Sequence, residues 1–345
     1  MAFQRALITG GSGYFGSLLR DRLRAQQQSV AVLDLVDASD RPSEVSFFQA
    51  DIRDESAVTK ACGQCDVVYH CVAQVPLAKS RRLFESVNVG GTETMLKAVR
   101  TTRVKKVIYL SSSAIFGIPQ SNPVTESTAP SPREAYGRAK LEGEKRCVRA
   151  VAEGLDITII RPRTILGHGR LGIFQILFEW IREGYNVPVL GAGNNRYQFV
   201  HADDLAAACQ LAAARPGGTI FNCGAEHFGT MRQTLEQLCA HAGTGSKVKS
   251  VPFKAATWFM NFSSALGLSP LGPSHALMYG RSLYFDISRA RAELGWQPRY
   301  SNGEMIIQSY DWYLQNRAAV LAAHGGSRHR SALKQGVLGL FKHLI

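Results

Sequence analysis

Apolar positions along this chain switch between two periods. Apolar runs within residues 5–9, 29–34, 46–50, 66–71, 105–111 and 156–161 read as short strands, since runs of this length bounded by turn residues suit a sheet covered on both faces. Between them, apolar residues recur at helical spacing near 13–25, 54–62, 81–101 and 134–153. This alternation predicts an α/β fold built on a doubly wound parallel sheet. The Pro/Ser-rich stretch 118–132 predicts a surface loop before the last of these helices.

After Arg161-Pro162 the pattern changes. Residues 171–184 predict an amphipathic helix, 187–190 a short strand, and Gly191-Ala192-Gly193 a turn. Phe199-Val200 followed by Asp203-Asp204-Leu205 predicts a return to the main sheet and another helix. The expected organisation is a nucleotide-binding domain over 1–165 with a return segment near 194–222. A smaller C-terminal substrate lobe would comprise 166–193 and 223–318, followed by a basic amphipathic tail, 319–345. No internal repeat is evident.

The first strand hands over to the first helix through Thr9-Gly10-Gly11-Ser12-Gly13-Tyr14-Phe15-Gly16. Gly10 suits a tight turn, Gly13 a close approach of backbone amides to a pyrophosphate, and Gly16 a close packing of helix on sheet. The helix N-terminus then favours an anion. Asp34 ends the next apolar run, where a carboxylate accepts hydrogen bonds from ribose hydroxyls and repels a 2′-phosphate. Together these predict a Rossmann dinucleotide site that prefers NAD.

Composition narrows the class. Of 345 residues, 45% are apolar, which allows a substantial core. The longest apolar stretch, 251–268, is broken by Lys254, Asn261, Ser263 and Ser264 and makes a poor membrane span. Met1 to Arg5 leads directly into the first strand, without a secretory leader pattern. The seven cysteines are scattered and odd in number, which suits reduced thiols and a cytoplasmic setting. Cys62-Gly63-Gln64-Cys65 has metal-like spacing, but no second pair stands at zinc-finger distance, so no metal is expected. The net charge of +13 is dispersed and accompanies no nucleic-acid-binding signature. It gathers only beyond Asp311, where Arg317, Arg328, Arg330, Lys334 and Lys342 remain and acids are absent.

Tyr136 and Lys140 lie one turn apart on the 134–153 helix, which follows a strand ending in Ser111-Ser112-Ser113. A phenol of ordinary pKa about 10 is a weak base near neutrality. A neighbouring ammonium favours its phenolate form. Ser113 is the expected hydroxyl that holds a reacting oxygen against Tyr136.

At this point the chain resembles the extended short-chain dehydrogenase/reductases of the NAD-dependent epimerase/dehydratase superfamily, including UDP-galactose 4-epimerases and 3β-hydroxysteroid dehydrogenases. The resemblance spans roughly residues 3–315. It rests on the glycine turn, Asp51-Ile52, Asn88-Val89-Gly90-Gly91-Thr92, the serine strand through Gly117, the Tyr136/Lys140 pair and Leu294-Gly295-Trp296-Gln297-Pro298, a late substrate-lobe motif. It implies Ser113, Tyr136 and Lys140 as catalytic. It places Gly10, Gly13, Tyr14, Phe15, Gly16, Asp34, Asp51, Ile52, Ala73, Asn88, Ser111, Tyr136 and Lys140 on the cofactor, with Lys140 at the nicotinamide ribose. A homodimer through the helices near 81–101 and 134–153 is also implied.

Departures from the pattern bear on substrate. Sugar-nucleotide dehydratases carry Thr-Asp-Glu at the catalytic strand, where this chain reads Ser113-Ala114-Ile115 and lacks the acids for water elimination. Epimerases carry an asparagine after the Arg161 strand, where Arg163-Thr164 stands here. Their diphosphate arginine four residues before His201 is replaced by Tyr197, with Arg196 beside it; Arg281 is the candidate for a second. Arg163, Thr164, Arg196 and Arg281 are therefore the expected substrate residues, the arginines clamping a diphosphate in another geometry.

An apolar stretch (Trp258, Phe259, Met260, Phe262, Leu266, Leu268, Leu271, Met278) fits either a hydrophobic substrate or ordinary core. A tail stripe (Leu333, Val337, Leu340, Phe341, Leu344) fits peripheral membrane contact or docking on protein. The readings open from sequence are a sugar-nucleotide or lipid-linked-sugar epimerase, a hydroxysteroid-dehydrogenase-like enzyme, and a catalytically silent NAD-binding protein.

Overall fold

The computed structural model describes residues 3–75, 80–254, 258, 280–322 and 342. The elements in chain order are β1 (Arg5–Thr9), α1 (Tyr14–Ala25), β2 (Ser29–Asp34), β3 (Ser46–Gln49), α2 (Glu55–Cys62) and β4 (Val67–His70). A helical run follows: α3 (Arg81–Leu83), a π-helical stretch (Phe84–Gly90) and α4 (Gly91–Arg100). Then come β5 (Lys106–Leu110), a 3₁₀ turn (Ser113–Phe116), α5 (Ala135–Ala152), β6 (Ile157–Pro162), β7 (Thr164–Leu166), α6 (Phe174–Arg182) and β8 (Val187–Leu190). The remainder is β9 (Phe199–His201), α7 (Ala202–Ala214), β10 (Ile220–Cys223), α8 (Met231–Ala242), β11 (Val248–Val251), α9 (Ser288–Leu294) and α10 (Asn302–Ala322).

Among the described residues, seven strands form one parallel sheet in the order β10-β6-β5-β4-β1-β2-β3. The strand order reverses between β1 and β4, which opens a crevice at their carboxyl ends. The buried runs explain the sheet: β5 and β6 are covered along their whole length, as strands flanked by helices on both faces must be. On one face Leu19 and Leu23 of α1 and Leu205 and Ala206 of α7 pack against Ile8, Val32 and Ile160. On the other, Val58, Met95, Leu96, Cys147 and Ala150 pack against Leu7, Val68 and Val107.

Two expectations are corrected. Phe199–His201 does not return to the main sheet; β9 pairs with β7 in a separate two-stranded parallel unit. The seventh strand is β10, a four-residue run too short to stand out, and its pairing with β6 depends on long-range packing. The Leu294–Pro298 motif also belongs elsewhere than expected. Trp296 is fully buried in the core beneath α7, and its Nε1 donates to the Asp204 carbonyl at 2.8 Å. The smaller lobe gathers α6, α8 and α10 around Trp180, Phe178 and Tyr313, with β8 and β11 paired along its edge.

A buried ion pair fastens α5 to the sheet. Arg161 on β6 reaches Glu144 on α5 through Nε (3.0 Å) and Nη2 (2.7 Å), and both side chains are about 95% covered. Removing one partner of such a pair leaves a charge in low dielectric, at a cost of about 3–5 kcal/mol. We therefore expect Glu144→Leu to lower urea-unfolding stability by about that amount, and Glu144→Leu with Arg161→Met to recover most of it. Equal stability of the single variant and the parent would contradict the assignment.

Candidate active site

The glycine turn sits at the β1/β4 reversal. Gly10 has φ of +76°, and a Cβ there would lie 2.7 Å from the Val72 Cα. A Cβ on Gly16 would lie 2.2 Å from the Gly10 carbonyl oxygen. Backbone therefore approaches backbone where no side chain fits, and α1 begins directly above. Its N-cap, Gly13, offers no side chain, and its first turn holds no acid, so the positive end is presented to an anion. Asp34 accepts from the Ser12 amide (3.0 Å) and the Leu35 amide (2.8 Å). Burial pushes its carboxyl pKa up, while these amides pull it down. A carboxylate has about four acceptor sites, so capacity remains for ribose hydroxyls. The Ser111 hydroxyl is buried with no hydrogen-bond partner among the described residues, a donor suited to a bound molecule. These features fit a dinucleotide.

The other expected cofactor residues divide. Tyr14 and Phe15 are buried at the start of α1, and the Tyr14 hydroxyl donates to the His168 carbonyl at 3.0 Å. Ile52 is a core residue, packed where a Cβ on Gly91 would come within 2.6 Å of it. The Asp51 carboxylate is held by Arg53, whose hydrogen bonds keep it below the usual carboxylate range. Ala73 lies half-buried just beyond β4. Asn88 clamps the neighbouring Gln74, accepting from its amide at 2.7 Å and donating to its carbonyl at 3.0 Å.

At the reacting end, Lys140 is buried and its Nζ donates to the Leu110 carbonyl at 2.7 Å. Burial pushes its pKa down to about 8, against opposing contributions from Cys71, Cys147 and Glu144. The phenol of Tyr136 is raised, because burial outweighs a hydrogen bond from Ser112 and the charge of Arg170, which both lower it. The Ser112 hydroxyl accepts from the Ala114 amide at 3.2 Å, capping the turn that follows β5. Ser113 lies in the 3₁₀ turn, and its Oγ accepts from Arg163 Nη1 at 2.7 Å. Arg170 was not singled out from sequence. It lies on a loop rich in glycines after β7, with its guanidinium 5.3 Å above the Tyr14 ring.

The substrate arginines do not form one clamp. Arg163 is fully buried, 4.7 Å over the Tyr197 ring and 5.6 Å over that of Phe285. Thr164 Oγ1 and the Tyr197 hydroxyl lie 2.7 Å apart in a hydrogen bond. Arg196 is exposed and sits over Phe228 (4.9 Å) and Tyr284 (4.5 Å), and Arg281 is exposed over Phe253 (5.1 Å). The segments carrying Arg196 and Arg281 run together, since the Leu283 amide donates to the Arg196 carbonyl at 3.0 Å. Of the expected apolar stretch only Trp258 is described, and it is exposed; its other members and the tail stripe lie outside the described residues.

Two further clusters are accounted for by structure. His168, His201 and Asp203 bring ligand atoms within 4.8 Å of one another. However, His201 Nδ1 accepts from the Asp203 amide (3.1 Å), which leaves Nε2–H to donate to Gln308 Oε1 (2.5 Å). Both ring nitrogens are spent in capping α7 and holding α10. Cys62 and Cys65 are buried, and burial pushes their thiols up to about 12 and about 11, so neither is a ready thiolate.

A sequence profile described as the NAD dependent epimerase/dehydratase family matches residues 6–224. The uncharacterized protein y4nG of Sinorhizobium fredii is 52% identical over 341 residues, covering 99% of this chain and 86% of its own. A UDP-glucose 4-epimerase of Mycolicibacterium smegmatis is 28% identical over 331 residues, 90% of this chain and 98% of that one. Among solved structures, UDP-glucose 4-epimerase of Thermotoga maritima with UDP-glucose has a TM-score of 0.77 at 23% identity, covering 91% of this chain and 99% of that chain. The chain belongs to the NAD-dependent epimerase/dehydratase family. It is an enzyme of the extended short-chain dehydrogenase/reductase type, and its cofactor is NAD.

The glycine packing predicts a binding defect without a folding defect elsewhere. Gly16→Ala forces α1 away from the turn, so NAD affinity should fall about tenfold or more, equivalent to about 1.4 kcal/mol. NADH fluorescence titration measures it; unchanged affinity would show that the close approach does not shape the site.

Proposed function

We propose that this enzyme interconverts a secondary alcohol and a ketone on a sugar nucleotide or lipid-linked sugar, as an epimerase-type catalyst. The observation that carries the reading is the burial of Lys140 at the carboxyl end of β5, its Nζ donating to the Leu110 carbonyl at 2.7 Å, one helical turn from Tyr136 on α5. Bound NAD supplies hydride acceptance and return. The protein's part is positional and acid–base. Ser113, whose Oγ accepts from Arg163 and keeps its own hydrogen to donate, holds the substrate oxygen, Tyr136 takes or returns its proton, and Lys140 supports the ribose side with its ammonium. Burial makes the phenol a stronger base once it is ionised, and Arg170 offsets part of the cost of ionising it.

The sugar-nucleotide reading is supported by the M. smegmatis relative and by the UDP-glucose of the T. maritima structure. Arg196 and Arg281 are the exposed cations suited to a diphosphate. One observation favours the second reading, a hydroxysteroid-dehydrogenase-like enzyme: Thr164, where epimerases carry asparagine, is engaged with Tyr197. The exposed Val148 on α5 supports the homodimer. No helix among the described residues is long and apolar enough to cross a membrane. Lys342 pairs with Glu183 and lies 4.4 Å over the Tyr185 ring, which supports tail docking on the protein itself.

Tyr136→Phe should lower kcat by about 10²–10⁴, the usual worth of a positioned acid–base group. Ser113→Ala should cost about 10². The assay is interconversion of UDP-glucose and UDP-galactose by NAD-loaded enzyme, with NADH absorbance followed in parallel. A stoichiometric NADH signal favours net redox; full activity of Tyr136→Phe would exclude the catalytic reading.

A further inference from the structure

His70 ends β4 beside the cofactor crevice, fully buried and absent from every expected role. Its Nδ1 lies 2.9 Å from the Thr9 hydroxyl, on the residue immediately before the glycine turn. Its Nε2 lies 3.4 Å from the Thr92 hydroxyl on α4. The ring stacks on Tyr109 at 5.7 Å and 17°. The Tyr109 ring also carries Lys140 Nζ at 5.2 Å.

The proton positions follow from the partners. Thr92 Oγ1 donates its single hydrogen to the Asn88 carbonyl at 2.7 Å, since a carbonyl only accepts. Toward His70 it is therefore an acceptor, so Nε2 carries the proton. Nδ1 is then the acceptor, and the Thr9 hydroxyl donates to it. A second proton on Nδ1 would face the Thr9 oxygen at the cost of this arrangement, and burial beside the Lys140 ammonium holds the imidazole neutral, its pKa pushed down to about 3. The chain of hydrogen bonds runs from the Thr9 hydroxyl through His70 and Thr92 to the Asn88 carbonyl, which accepts.

Both ends of that chain meet the cofactor crevice. Thr9 leads into Gly10, whose missing Cβ lets Val72 approach. Asn88 grips Gln74 in both directions. The Cys71 amide donates to the Thr9 carbonyl at 3.1 Å, so the two segments also share a ladder bond. A dinucleotide crossing the reversal between β1 and β4 rests on both segments at once.

We propose that His70 is a positioning residue for NAD: a neutral imidazole protonated at Nε2 that sets the spacing between the glycine turn and the 71–75 segment. The inference rests on the NAD site but not on any particular substrate. A ring that merely fills core would need neither hydrogen bond.

The test uses the full chain. Nitrogen-15 imidazole spectra of the wild type should show His70 as the Nε2–H tautomer, without titration from about pH 5 to 8. His70→Phe keeps a stacked ring and loses both bonds; NADH fluorescence titration should show affinity about tenfold weaker or worse. Should that variant fail to fold, Thr92→Val removes one link, with weaker NADH binding expected and Thr92→Ser restoring it. An Nδ1–H tautomer, a titrating ring, or parental NADH affinity in the folded variants overturns the proposal. Loss of NADH binding with no turnover of UDP-sugars by the parent would instead sink the substrate reading and leave this one standing.

Discussion

The structure depends on one close approach of backbone to backbone. Between the end of β1 and the start of α1, Gly16 rests against the Gly10 carbonyl where a Cβ would stand 2.2 Å away. That contact brings the positive end of α1 over the sheet's carboxyl edge, at the strand reversal where a crevice opens. Asp34 on one side and the Asn88-clamped segment on the other then bound the same crevice. Without the approach, the amides, the carboxylate and the catalytic helix would not converge on one ligand.

The reacting end is a problem in burial. Lys140 and Arg163 are cations withdrawn from water, held by the Leu110 carbonyl and the Ser113 hydroxyl, and Tyr136 lies half-buried beside them. Low dielectric lowers the lysine's affinity for its proton and raises the phenol's, so the two groups are brought nearer in pKa than in water. A guanidinium on a glycine-rich loop supplies a second nearby charge. The acid–base character of the site is thus set chiefly by desolvation, with the Arg170 charge opposing it at the phenol.

The substrate side is less uniform with its relatives. Arg163, Thr164 and Tyr197 form a dry contact inside the protein, whereas Arg196 and Arg281 face outward from neighbouring segments. The frame is that of the NAD-dependent epimerase/dehydratase family, whose profile matches residues 6–224.

Local sequence determined the elements whose signal is local. Continuous apolar runs specify strands covered on both faces, helical periodicity specifies the faces of α1, α2 and α5, and glycines specify the turn where no side chain fits. The cofactor class followed from the same positions. Tertiary structure decided what depends on distant partners: β10 completing the sheet in place of β9, Trp296 packing beneath α7, and Arg163 turning inward. It also drew His70 into a hydrogen-bonded chain. The physical reason is that a side chain's role rests on which groups surround it, and those surroundings come from residues up to a hundred positions away.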